Sequence, residues 1–369
     1  MNIGQKLRLA RDAVGYTLNK ASKESDIGES SLCEFENGKR EPKFSQLSQL
    51  AEVYRRTIEF FLTDEPVVEN MMLWREKPDT EEKRKEVETR FFQLCEQYHN
   101  LETVMGEIKG TELPKFSQGK SSEFDYNKVD ELAEKVRKGF SLGDIPGASL
   151  KQILEEKFYV KIFHLDFSGS AISIFSETFG YAILLNKTNK LWRRNFDLAH
   201  ELFHLLTWNI FRDSSPDNYI PSENEESFAN AFASKLLLPT DSAKNRINSQ
   251  INKDGKITFE KLYEIAREFD VSIEALLWRM LYLYNINKDD INRYIKQAQN
   301  VKIFQSPRVS SEPDELPERY CSLAIRALND GKLSLTQFAK YMGISYRKAQ
   351  EYLAEGEDFT DEKISISVT

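Results

Sequence analysis

Residues 195–204 read NFDLAHELFH, with His200 and His204 four apart and Glu201 directly after the first. In a helix, residues four apart project from one face about one turn apart, so the two imidazoles can be offered to a single tetrahedral metal ion. Glu201 then stands beside a water on that metal. This is the H-E-x-x-H arrangement, in which zinc lowers the pKa of the water and the glutamate takes its proton. The stretch therefore predicts a helix carrying Zn2+, with Glu201 as general base and His200 and His204 as ligands.

Such a centre needs a third protein ligand and an open fourth position. The next helical stretch, NEESFANAFASKLLLP (224–239), places Glu226, Asn230, Ala233 and Leu237 on one face. Glu226 is the candidate third ligand, and Asn230, one turn on, the candidate orienter of a ligand histidine. Spacing alone leaves Glu223 and Glu225 open as competitors. The small Ala229 and Ala233 would let this helix approach the His200 helix closely. The polar stretch RDSSPDNYIPSEN (212–224) between the two helices reads as a rim or lid.

Upstream, two segments read as strands: YVKIFHLDF (159–167), with alternating residues, and YAILLN (181–186). The second, within ETFGYAILLN, reads either as an edge strand to which an extended peptide could add or, equally, as a plain sheet strand. His164 lies within the first and reads as a structural histidine. Helical patterns open this region at residue 126 and resume after the second strand, as far as residue 298.

The first 62 residues read as five short helices separated by Gly15, by Asp26 to Gly28 and by NGKREP (37–42). A helix, a tight turn at SDIG (25–28) and a second helix from Glu29 make a helix-turn-helix, whose second helix can lie in a major groove. With IGESSLCEFENGKREP (27–42), the stretch 3–62 resembles the Cro/C1-type (XRE) helix-turn-helix family. Leu18 stands where that family often has glutamine, and Glu29 and Glu34 put negative charge on the presumed recognition helix. Ser30 and Ser31 are the expected base contacts, and Lys39, Arg40 and Lys43 the expected phosphate contacts on double-stranded DNA.

Residues 66–125 read as a connector built around an amphipathic helix that ends near Glu107. Its His99 is expected to pack rather than to bind a ligand. The tail, 299–369, reads as a linker followed by a helical unit. There LSLTQFAKYMGISYRKAQEYL (333–353) has Ala339, Gly343 four residues later, then Ala349 and Tyr352, again helix-turn-helix-like. Lys340, Arg347 and Lys348 could touch DNA there, with packing or sensing as the equal alternative.

Composition sets outer bounds on these readings. The chain has 369 residues, 40% of them hydrophobic, with 24 Phe and 15 Tyr, enough for several cores. A formal net charge of -8 excludes a general nucleic-acid coat and confines DNA binding to local surfaces. The three cysteines, Cys33, Cys95 and Cys321, offer neither a disulfide framework nor a CxxC knuckle. No apolar run approaches the ~18 residues of a membrane span, so a cytoplasmic protein without membrane contact is expected.

The combination RRNFDLAHELFHLL (193–206) with EESFANAFASKLLLP (225–239) resembles the ImmA/IrrE-like metallopeptidase family across about residues 126–285. The resemblance implies a gluzincin-like zinc peptidase and points to Glu226 as third ligand. Phe203 stands where the family usually has glycine, and its bulk is expected to narrow the cleft. The expected fold is mainly α with a small β-sheet (α+β). An all-helical helix-turn-helix domain (1–65) and the helical connector (66–125) lead to the peptidase domain (126–298), and a small helical unit (299–369) follows. The implied function is limited cleavage of a repressor or antitoxin, with DNA, a toxin and a second copy of the chain as further partners. The competing reading is a non-enzymatic regulator or antitoxin that keeps the peptidase fold as a binding scaffold.

Overall fold

The computed structural model describes residues 2–62, 72–109, 113–114, 121–212, 221–299 and 312–359. The first five helices are α1 (Ile3–Ala13), α2 (Leu18–Ser25), α3 (Glu29–Glu36), α4 (Phe44–Val53) and α5 (Ile58–Leu62). Asn2 and Gln5 close a capping box on α1, and the Thr17 hydroxyl accepts from the Lys20 N–H at the start of α2. Asp26, at φ 53°, ends α2 in the left-handed region and Gly28 begins α3, which gives the short turn. A Cβ on Gly4 would come within 2.4 Å of the Phe35 carbonyl oxygen, so glycine is what lets α1 and α3 touch. Leu7, Ala10, Leu32, Phe35 and Leu50 fill the small core, and Arg11 pairs with Glu36 at 2.7 Å beside it.

Strand β1 (Met72–Arg75) and the long helix α6 (Glu81–Met105) come from the segment expected as a connector. Helices α7 (Tyr126–Gly139) and α8 (Leu150–Glu156) follow. The sheet is then completed by β2 (Lys161–Leu165), β3 (Ala171–Ser176) and β4 (Gly180–Asn186). Its order is β1-β3-β4-β2, with β2 parallel to β4 and the other pairings antiparallel. The architecture is α+β as expected, but the segment YAILLN is not an edge strand. It forms β4, hydrogen-bonded to β3 on one side and β2 on the other, so its backbone cannot take an added peptide. The edges belong to β1 and β2.

Beyond the sheet run α9 (Leu191–Leu206), α10 (Trp208–Phe211), α11 (Glu223–Leu237), α12 (Thr240–Asn248), α13 (Phe259–Glu268), α14 (Ile273–Tyr284) and α15 (Lys288–Gln299). The last three helices are α16 (Glu318–Asn329), α17 (Leu335–Met342) and α18 (Tyr346–Phe359). The two-residue period of the strands divides the core. Ile162, Ala171, Ile183 and Leu185 face α9 and α11, whereas Phe163, Ile172, Ile174 and Leu184 face α6 and α16. A buried Glu102 on α6 is shared by Lys161 of β2, at 2.9 Å, and Arg319 of α16. The sheet thus lies between a layer containing α9 and α11 and a layer made by α6 with the C-terminal helices. Among the described residues no helix is long and apolar enough to cross a membrane.

Candidate metal centre

Helices α9 and α11 pack against each other through residues with little bulk: Ala199, Ala229 and Ala233 are all fully buried. This close approach brings the donor atoms together. The Nε2 atoms of His200 and His204 lie 3.2 Å apart. Glu226 Oε2 is 3.2 Å from the first and Glu226 Oε1 is 3.5 Å from the second. Donor atoms on a tetrahedral zinc with bonds of ~2.0–2.2 Å are separated by about 3.3–3.6 Å, so the triangle has the right size. Two imidazoles and a carboxylate could hold a metal ion.

The far nitrogens of the rings are anchored. His200 Nδ1 lies 3.1 Å from Asn230 Oδ1, and His204 Nδ1 lies 2.8 Å from Glu225 Oε1. Both partners are oxygen acceptors, so each ring carries its Nδ1 proton toward them and leaves the Nε2 lone pair for the centre. Arg212 in turn donates to Glu225 at 2.8 Å, holding that fully buried carboxylate in place. Glu225, Glu226 and Glu223 therefore part company. Glu225 serves the outer nitrogen of His204, Glu226 faces both inner nitrogens, and Glu223 is exposed in the first turn of α11.

Glu201 is 1% exposed, and neither of its oxygens has a well-formed hydrogen bond among the described residues; the Ser173 hydroxyl of β3 is its polar neighbour. Burial pushes its carboxyl up to about 7, against the pull of His204 and Ser173. For Glu226 burial acts upward too, but the bonds to His200 and His204 outweigh it and hold the carboxyl well below the usual carboxylate range. Burial lowers the pKa of His200. It acts the same way on His204, where Glu225 and Glu226 prevail and raise the pKa.

A cleft of about 340 Å³ opens on this centre, walled by His200, Glu226, Asn230 and Pro221 on one side and by Trp74 to Lys77 on the other. The second wall is β1 and the residue pair after it. Arg75 lies 3.1 Å from Asp197, stacks 5.0 Å from the Phe196 ring and donates to Asn230 Oδ1 at 3.5 Å. Arg193 joins Asp197 at 3.2 Å and also pairs with Glu76, so two arginines clamp β1 to the helix of His200. Sequence reading missed the pair of Arg75 and Asp197, because the two are more than a hundred residues apart. A hint was present in Asp197 itself, an acid set among the apolar residues of the histidine helix, where burial would demand a cation.

Phe203 does not narrow the cleft. Its side chain is fully buried on the other face of α9, among Phe124, Phe211 and Phe232, where a glycine would leave a hole in the core. Most of the expected rim, residues 213–220, lies outside the described residues. Of the expected DNA contacts, Ser30, Lys39, Arg40 and Lys43 are exposed and Ser31 is half-buried. Arg40 is already paired with Glu34 at 3.4 Å and stacked 4.9 Å from the Phe35 ring. His164 is buried on β2 and His99 half-buried on α6, both away from the metal cluster.

The family model for the IrrE N-terminal-like domain, peptidase M78, matches residues 155–281, which run from α8 through β2–β4, α9 and α11 into α14. A helix-turn-helix family model matches residues 7–61. Comparison with curated proteins gives no match. The chain therefore joins an XRE-type helix-turn-helix domain to an IrrE/ImmA-like peptidase M78 domain.

Proposed function

We propose that this chain is a DNA-associated regulatory zinc endopeptidase that makes a limited cut in a repressor or antitoxin, in a stress, toxin–antitoxin or defence setting in the cytoplasm. The observation that carries the reading is the inward-facing triangle of His200 Nε2, His204 Nε2 and the Glu226 carboxylate, with each outer ring nitrogen tied down and a buried, unpaired Glu201 alongside. A pure binding scaffold has no chemical need for a desolvated carboxylate at that point. When bound, zinc would act as Lewis acid toward the scissile carbonyl and the attacking water.

The chain's own residues supply the rest. Glu201, with its carboxyl near neutrality, accepts a proton from the attacking water and returns it to the leaving amine nitrogen. Asn230 and Glu225 fix the two rings so that little reorganisation is needed. Arg75, held by Asp197, places a guanidinium in the cleft wall beside Asn230. The helix-turn-helix directs the enzyme to DNA or to a DNA-bound regulator.

The test compares wild type with Glu201→Gln on candidate repressor and antitoxin substrates, with zinc measured in the same samples. Glu201→Gln should keep its zinc and fold and lose about a hundred- to ten-thousand-fold in cleavage rate. Equal processing by both proteins, at equal zinc, would leave the scaffold reading in its place.

A further inference from the structure

The C-terminal helices repeat the N-terminal helix-turn-helix in register. When Leu335 is set against Leu18, each feature of one unit meets its counterpart in the other. Thr17 and Ser334 are both N-caps whose hydroxyls accept the backbone N–H three residues on. Helices α2 and α17 are both eight residues long, and both end in a left-handed residue, Asp26 at φ 53° and Gly343 at φ 65°. The next residues, Ile27 and Ile344, both pack inward. Leu32 and Ala349, 2% and 0% exposed, fall at the same step of the second helix, followed by Phe35 and Tyr352 at the next core position. A helix, a three-residue turn and a second helix braced on a third, here α16, form a helix-turn-helix whatever the overall sequence identity.

Neither family match reaches residues 312–359. In the shared register the positions of Ser30 and Ser31 are occupied by Arg347 and Lys348, and that of Glu29 by Tyr346. Tyr346, Arg347, Lys348 and Gln350 are all exposed, with Tyr346 at 54%. In α18 the positive charge is confined to the first turn, where Arg347 and Lys348 stand ahead of Glu351, Glu355, Glu357 and Asp358. We infer that α18 is a second recognition helix and that its ligand is double-stranded DNA. Arg347 and Lys348, at the positions of the expected base contacts Ser30 and Ser31, would carry their charge on longer side chains out to the flanking phosphates, leaving the base edges to Tyr346 and Gln350. Beside the exposed ring of Tyr346, α18 presents Arg347, Lys348 and Gln350, side chains suited to phosphates and base edges.

Both units stand on the same helix. The Thr89 hydroxyl of α6 donates to the Ala13 carbonyl at the end of α1, and Asn100 of α6 donates to the Tyr341 hydroxyl of α17 at 2.6 Å. Lys340 of α17 also pairs with Glu52 of α4 at 3.0 Å. One chain thereby holds two DNA-reading units at a fixed separation, as dimeric repressors do with two copies. The inference leans on DNA binding by residues 7–61 only through this correspondence, and it is independent of the peptidase reading.

The experiment uses the full chain on a duplex selected from a random pool, with footprinting and a salt titration. Arg347→Glu/Lys348→Glu should remove one protected segment and reduce the slope of log affinity against log salt by about 1.8, as expected for two lost phosphate contacts. Arg40→Glu/Lys43→Glu should remove the other segment. Circular dichroism and zinc content should be unchanged in both, since all four side chains are exposed. If the first pair leaves footprint and slope as in wild type, or abolishes only a protein interaction, the inference is overturned while the N-terminal unit's reading stands. Loss of all DNA binding from the Arg40/Lys43 pair with no footprint left at α18 overturns it as well.

Discussion

Three consecutive-looking acids at the start of α11 show what one residue of helix rotation does. Each step turns a side chain by ~100°, so Glu225 and Glu226 cannot face the same atom. Glu225 reaches the outer nitrogen of His204 and Glu226 the inner nitrogens of both histidines. The histidine spacing was legible in the sequence because i, i+4 geometry is local. The choice among Glu223, Glu225 and Glu226 was not, because it depends on how α11 is rotated against α9. We expect Glu226→Ala to abolish stoichiometric zinc binding. Glu225→Ala should weaken zinc by about 10- to 100-fold, the usual cost of losing an outer-shell partner, and Glu223→Ala should leave it unchanged. Zinc titration against a competing chelator orders the three variants, and a Glu225→Ala loss as deep as that of Glu226→Ala would overturn the assignment.

Elements with one wet face were easy to read, and those with two dry faces were not. The helices α1, α2 and α7 announce themselves by side-chain caps and by one apolar stripe. Strand β3, AISIFS, is buried on both sides and so lacks the alternation that marks a half-exposed strand. Strand β1 is only four residues long, and its pairing with β3 spans about a hundred residues of chain. The same double burial explains His164 on β2, where burial, with Lys151 and Arg194 adding to it, pulls the imidazole down to about 3. The folded state then refuses a proton that the unfolded chain accepts near 6.5. Stability is therefore full above about pH 6.5 and falls as pH drops toward 3, by up to about 5 kcal/mol from this group. His164→Gln should flatten the pH dependence of unfolding free energy in that window by about 1.4 kcal/mol per pH unit, one proton's worth. Denaturant titrations at several pH values measure it, and parallel curves for the two proteins would show that His164 is not the acid-sensitive group.

At the scale of the molecule, motif reading located the two matched domains but not the way they are joined. The surfaces that join them are half polar, and no local period encodes them. Helix α6 is the common support: Lys20 pairs with its Glu82 at 3.3 Å, Arg55 with its Glu86 at 3.6 Å and Arg56 with its Glu96 at 3.7 Å. The first pair is too exposed to matter much. Arg56 differs, since its guanidinium lies between the Phe60 ring at 4.9 Å and the Phe92 ring at 4.4 Å, with both charged partners largely buried. Burial pulls its pKa down and Glu96 resists. Arg56→Ala removes the stacking and the ion pair with Glu96, a change that costs up to about 3–5 kcal/mol for a buried pair. The loss should fall on the junction, so hydrogen exchange in α1–α5 should rise while α9 and α11 stay protected. Arg56→Met with Glu96→Gln should recover most of the stability, because an apolar stem fits between the rings and no charge is left unpaired. If exchange in α1–α5 is the same in wild type and Arg56→Ala, the helix-turn-helix is held on α6 by something other than this arginine.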